Sequence, residues 1–254
     1  MSRDFETSSS QYLNNANAVL TAAPLSMACW FKSENSVSTQ TFINIGLAAS
    51  DDHRFTLRVV ANTSVRFSVR TTAASEAIST AGPTVNTWNH AAGVEIATNS
   101  RAAYLNGANK GTQGTTRVPV GVNSTYIGAM SSSPSPSNFM DGFIAEVGIW
   151  NIALNDSEVA ALARGVCPLR IRPSGLVSYW PIFGVGSPEP DYRGGFHMTL
   201  NAAPPQADHA PVMPPFFRED WYGEFTTAAP AAGQPIVKRM GGVKYVHSLG
   251  RGVW

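Results

Sequence analysis

Two carboxyl groups held about 5 to 5.5 Å apart can cleave a glycosidic bond with retention, so the acids are the first residues to weigh. They stand mostly alone. Glu146 is the sole acid of FIAEVGIW, and Glu95 is the sole acid of NHAAGVEIA. Glu219, Asp220 and Glu224 do cluster, but neighbours in an extended chain face opposite sides, and the flanking prolines mark a wrapping segment rather than a strand. The five histidines (His53, His90, His197, His209 and His247) show no HxH or HxxxH spacing that would bring two imidazoles to one metal. No Gly-x-Ser-x-Gly elbow exposes a serine nucleophile. The Gly-Gly pairs at 194–195 and 241–242 lack the Lys-Ser/Thr of a phosphate loop and read as turns. The expectation is a protein that is not an enzyme, with no catalytic residues and no metal ligands.

The charges point elsewhere. Residues 1–224 hold 14 basic and all 17 acidic residues, whereas the last 30 hold Lys238, Arg239, Lys244 and Arg251 and no acid. With Tyr245 and Trp254, these basic residues make an arm suited to an acidic partner surface. They are too sparse for a nucleic-acid-binding arm.

These residues need elements to carry them. A charged fraction of 14%, 22 Gly and 17 Pro favour a turn-rich β protein, and 43% hydrophobic residues supply a core. Short alternating segments recur at 25–32, 41–46, 55–60, 65–70, 89–96, 101–105, 124–127 and 143–150, with a later one at 175–181. Each is bounded by Asn, Gly, Ser, Thr or Pro. Segments 55–60 and 65–70 flank a short turn and read as a hairpin, and Asn106-Gly107 favours a type I′ turn after the strand at 101–105. In 143–150 strict alternation sets Phe143, Ala145, Val147 and Ile149 on one face and Ile144, Glu146, Gly148 and Trp150 on the other.

Asn155 followed by Glu158 writes a capping box for a helix near 156–164, with Val159 and Leu162 on one face and Gly165 as its stop. Trp30, Trp88, Trp150 and Trp180 are expected in the core, and His90 packed and hydrogen-bonded beside Trp88. Cys29 and Cys167 are expected as buried thiols. The loop SSSPSPSN at 131–138 cannot be a central strand. Residues 184–235 carry nine of the 17 prolines and are expected to wrap the body. The expected organisation is thus a body over 1–183 and, over 184–254, a wrapping segment with a basic arm. No charged flank and apolar core of a signal peptide opens the sequence, and no run of ~18 apolar residues occurs. A soluble product of the cytoplasm, without membrane contact, is expected.

Six blocks in order resemble the laminin-G-like, concanavalin A-like lectin/glucanase superfamily. FETSSSQYL is similar to its Phe-Asp-Gly-x-x-x-Tyr-Val strand, LSMACWFKS to Thr-Ile-Ser-Ala-Trp-Val-Lys, and NTWNHAAGVE to Trp-His-His-Val-Ala. RAAYLNGANKGT resembles the Leu-Tyr-Val-Asp-Gly hairpin, while STYIGA and GFIAEVGIWNIALNDSEVAAL resemble its Ile-Gly and closing strand-and-helix segments. The resemblance implies an all-β, two-sheet antiparallel jelly-roll sandwich. Some relatives hold calcium with acids where this chain has Glu6-Thr7 and Ala145 before Glu146, so no cofactor is expected, and a calcium site has lost acids it would use. GLVSYWPIFG and DYRGGFHMTLNAAP resemble segments that usually precede the first block, yet here they follow the helix.

That permuted order, with the GQPIVKRMGGVKY tail, resembles structural proteins of tailed bacteriophages. It implies a virion protein on the capsid surface, a decoration or cement protein whose arm (Lys238, Arg239, Lys244, Tyr245, Arg251 and Trp254) grips the major capsid protein or another virion protein, with a trimer as the expected oligomer. The alternative expectation is a lectin-like receptor-recognition module of a tail fibre or adhesin, holding a glycan with loops such as 131–138 or 48–53.

Overall fold

The computed structural model describes residues 2–35, 37–48, 50–184 and 186–212, together with the backbone of 237–240 and 243–246. Two antiparallel sheets face each other. In the first, seven strands run in the order β10 (Ala108–Gln113), β9 (Ser100–Leu105), β8 (Asn89–Ala97), β3 (Leu25–Ser33), β12 (Gly142–Trp150), β1 (Ser2–Phe5) and β15 (Gln206–Ala207), and an eighth, β13 (Leu176–Trp180), pairs with β12. The second sheet runs β14 (Thr199–Asn201), β2 (Tyr12–Asn15), β11 (Ser124–Ile127), β4 (Thr39–Gly46), β5 (Arg54–Val60), β6 (Ser64–Arg70) and β7 (Ala74–Ile78). This is the expected jelly-roll sandwich.

Period-two alternation drives the core. Met27, Cys29 and Phe31 of β3 meet Phe55, Leu57 and Val59 of β5 and Val65, Phe67 and Val69 of β6 between the sheets. Each such side chain contributes roughly 1.5–3 kcal/mol by leaving water. Phe31 stacks on Phe42 at a centroid distance of 4.1 Å. A Cβ on Gly93 would lie 2.3 Å from Cδ2 of Phe67, so the bare backbone of β8 is what admits that ring. The turns are as expected. Ala61 and Asn62 (φ 47° for both) join β5 to β6, and Asn106 and Gly107 (φ 53° and 71°) join β9 to β10.

Helix α1 (Asp156–Ala163) has both halves of its capping box: Asn155 accepts from the Glu158 amide at 3.0 Å, and Glu158 accepts from the Asn155 amide at 2.9 Å. Val159 and Leu162 bury against the outer face of the first sheet with Tyr104, Trp150 and Tyr179, and Gly165 (φ 89°) ends the helix. Trp150 and Trp180 are fully buried. Trp30 is nearly so, and half-buried Trp88 packs on the cluster of Trp30, Ala145 and Ala210. Cys29 and Cys167 are free, buried thiols.

One face assignment needs correction. Ile144, Val147 and Ile149 point into the sandwich, whereas Ala145 and Trp150 belong to clusters outside it. The register against β3 shifts between Ala145 and Gly148, and Glu146 sits there with φ 56°. This β-bulge inserts one residue and reverses the alternation upstream of it. β1 and β13 use the same edge of β12, on either side of the bulge.

The first compact unit ends at Pro215, past the boundary expected after residue 183. Strands β14 and β15 extend the two sheets, and Asp191 accepts from the amides of Tyr179, Arg193 and Phe196 at 2.9, 2.8 and 3.0 Å, knitting this segment to β13. Residues 216–254 form the second unit. Within it β16 (Val237–Met240) and β17 (Val243–Val246) pair as an antiparallel hairpin, with Lys238 opposite Tyr245 and Arg239 opposite Lys244. The rest of the expected arm, Arg251 and Trp254 included, lies outside the described residues.

Candidate functional site

Strands β5 and β6 place four arginines on the outer face of the second sheet. Their hairpin register sets Arg54 opposite Arg70 and Arg58 opposite Arg66. Like charges directly opposite each other repel, and acids from outside the hairpin relieve most of this. Glu76 of β7 pairs with both Arg58 and Arg66, the latter at 2.9 Å. Burial pushes the Glu76 carboxyl up, but the two guanidinium groups override it and hold it below its ordinary value. Arg70 Nε donates to Asp52 at 2.9 Å.

Arg54 is different. It is only 8% exposed, and among the described residues its side chain makes one hydrogen bond, from Nη1 to the carbonyl of Asp51. Among the described residues no carboxylate forms an ion pair with it. Burial first, and then the charges of Arg70 and Arg58, bring its guanidinium down to about 10.

A flap covers this end of the sheet. Asn44 of β4 accepts from the amide and hydroxyl of Ser131 at 3.1 and 2.7 Å, while its own amide donates to Thr56 at 2.8 Å. Gly46 lets the flap descend, since a Cβ there would lie 2.5 Å from Ser131 Oγ. Met130 and Ser137 exchange backbone hydrogen bonds at 2.8 and 3.0 Å, closing the base of the loop. The 48–53 loop approaches from the other side, where Asp51 accepts from the Ser133 amide at 3.3 Å. Between them lies a cleft of about 460 Å³, bordered by Asp51, Arg54, Arg70 and Met130 and by the flap's serines and Pro136. It offers guanidinium and hydroxyl donors, one carboxylate, and small apolar surfaces. That inventory suits reversible binding of a polar ligand.

The two loops named from sequence thus meet at one site. Arg54 and Arg70 were not named, although the hairpin's symmetry about its turn already placed them opposite each other.

The acids weighed for chemistry have structural partners. Arg101 grips Glu95 with two bonds, at 2.8 and 3.0 Å, and both side chains are buried. Glu146 is 4% exposed, accepts from the Tyr179 hydroxyl at 2.7 Å and lies 2.9 Å from Nε2 of His209. Burial, then the Glu146 charge, pushes the Tyr179 hydroxyl far up. Glu219, Asp220 and Glu224 lie outside the described residues. His90 is packed as expected, edge-on to Trp30, but its Nδ1 has no hydrogen-bond partner. Asp4, Glu6 and Glu34 bring carboxylate oxygens within 4.8 Å of one another, and burial, followed by Glu34 and Glu6, raises the Asp4 carboxyl. These three could offer oxygens to a hard cation, and Glu6 is one of the residues that stand where relatives carry the family's acid.

A family model described as the concanavalin A-like lectin/glucanases superfamily matches residues 7–160. No curated protein sequence matches the chain. Among solved structures, a candidate carbohydrate-binding protein of Bacteroides ovatus superposes with a TM-score of 0.56 at 17% identity, over 79% of this chain and 57% of that one. The CBM40 module of a Ruminococcus gnavus sialidase, solved with α2,3-sialyllactose, gives 0.50 at 12% identity, over 64% and 97%. A pentraxin of Limulus polyphemus gives 0.49 at 15% identity, over 60% and 75%. At these identities the likeness is one of fold.

Proposed function

Since the chain belongs to the concanavalin A-like lectin/glucanases superfamily, we propose that it is a lectin-like binding module that seats a glycan in the cleft under the 131–138 flap. One observation carries this reading: two loops distant in sequence converge over a sheet face that presents hydroxyl, carboxylate and guanidinium groups around a cleft of ligand size. Polyhydroxylated ligands are recognised by such fixed donors and acceptors, with apolar patches such as Met130 and Pro136 meeting the sugar's C–H faces. The binding proteins among its structural neighbours are in keeping with the proposal.

The expected capsid-decoration role rested on Lys238, Arg239, Lys244, Tyr245, Arg251 and Trp254. The side chains of that arm lie outside the described residues, and binding through the body, the alternative expectation, is the reading that the described residues support. A glycan array probed with the full chain should return a defined set of ligands. Replacing 132–136 with a Gly-Ser linker should abolish their retention while leaving the thermal transition in place. An empty array, or unchanged retention by the linker variant, would overturn the reading.

A further inference from the structure

Three of the four arginines facing outward from β5 and β6 have a carboxylate: Arg58 and Arg66 share Glu76, and Arg70 has Asp52. Arg54, the most buried of the four, has none among the described residues. Asp51 and Asp52 lie near enough for their charges to act on Arg54, but among the described residues neither reaches it as an ion pair: Asp52 is bonded to Arg70, the Asp51 carboxylate accepts the Ser133 amide, and the Asp51 carbonyl is what meets Arg54. A guanidinium carries five N–H donors, and the fold uses one of these. The cleft is where the others can be met, since Arg54 is part of its wall. A largely buried guanidinium held without an ion pair is only partly compensated, so this arrangement is one that a ligand completes.

We infer that the cleft receives an anionic group, a carboxylate or sulfate ester borne by the ligand, on the open donors of Arg54. Arg70 stands beside it, and among the described residues only its Nε is bonded, to Asp52. The planar fork of a guanidinium matches the paired oxygens of either group, and such charge-assisted bonds are about twice as strong as neutral ones. The carrier of the charge rests on the glycan reading above, but the charge itself does not.

The experiment measures binding of the full chain to matched pairs by titration calorimetry: an oligogalacturonate against its neutral methyl ester, a sulfated oligosaccharide against its desulfated form, and inorganic sulfate alone. The acid member of at least one pair should bind about tenfold or more tighter than its neutral partner. Arg54→Gln should erase that difference, and Arg54→Lys should restore part of it. Whichever pair shows the effect identifies the group. Equal affinity for acid and neutral members overturns the inference while leaving a glycan-binding module. Saturable binding of inorganic sulfate that Arg54→Gln removes, with no sugar bound, upholds the anion site and overturns the glycan reading. Binding of neither sugar nor sulfate overturns both.

Discussion

Replacing Arg54 with methionine should make the protein more stable. Burial and the neighbouring charges of Arg70 and Arg58 bring the guanidinium down from its ordinary value to about 10. At about 1.4 kcal/mol per unit this disfavours the charged form by roughly 3.4 kcal/mol. The side chain borders an open cleft, where solvent and ions screen the charge, so about half of that is a fair figure. Methionine keeps an apolar stem against the sheet but loses the hydrogen bond to the Asp51 carbonyl, which contributes about 1 kcal/mol. The net expectation for Arg54→Met is a gain of roughly 0.5–1 kcal/mol, or about 2–3 °C in Tm for a chain of this size.

The sign with pH follows from linkage. The folded value lies below the unfolded one, so the unfolded chain binds more protons only from about pH 10 up to the ordinary arginine value, and stability rises with pH only there. At neutral pH the penalty is fully present, and the gain should be the same at pH 6 and pH 8. Urea denaturation in a buffer free of sulfate and phosphate measures it, with an unchanged m-value as the sign that only stability moved. If Arg54→Met instead lost more than about 1 kcal/mol, Arg54 would be a stabilising part of the fold, and the argument that it awaits a counter-ion would fail.

His90 sets an acid limit: burial holds its imidazole at about 3, so below pH 6.5 the unfolded chain takes up a proton that the folded chain refuses, and stability falls as the pH drops. Between pH 6.5 and 5 this amounts to about 2 kcal/mol, and His90→Gln should lose about that much less over the same interval in urea titrations; equal losses would refute the assignment. Arg101→Met strands Glu95 as a buried, unpaired carboxylate and should cost about 3–5 kcal/mol, whereas adding Glu95→Leu should recover most of it. Thermal denaturation of the single and double variants decides, and a single variant within about 1 kcal/mol of wild type would mean that the ion pair is dispensable.

Most of the sandwich was legible because its strands announce themselves locally. Segments such as RFTLRVV and SVRFSVR alternate without a break, so the sequence sets both their extent and their inward face. The helix was legible for the same reason, its cap and glutamate being three residues apart. Two features escaped. The bulge at Glu146 places a non-glycine residue in left-handed backbone, stabilised by Tyr179 and His209 from 33 and 63 residues away, and nothing in FIAEVGIW marks it. Strands β14 and β15 are three and two residues long and exist through pairing with β2 and β1, with too few positions to show a period.

The site divides along the same line. That Arg54 and Arg70 face each other follows from the hairpin's register, a relation between residues 16 apart that the turn alone fixes. Which arginine is left unpaired does not follow from it, because the answer depends on three other pieces of chain. Glu76 comes from β7, Asp52 from the loop before β5, and Ser133 from a flap anchored to Asn44, with 87 residues separating Asn44 from Ser131. Ser133 matters here because its amide donates to the Asp51 carboxylate and so fixes the acid nearest in sequence to Arg54 against the flap. The flap therefore does two things with one set of contacts: it borders the cleft, and it ties down the loop that carries Asp51. On this argument replacing 132–136 with the Gly-Ser linker should weaken anion binding while the thermal transition stays in place, which ties the shape of the site to its charge.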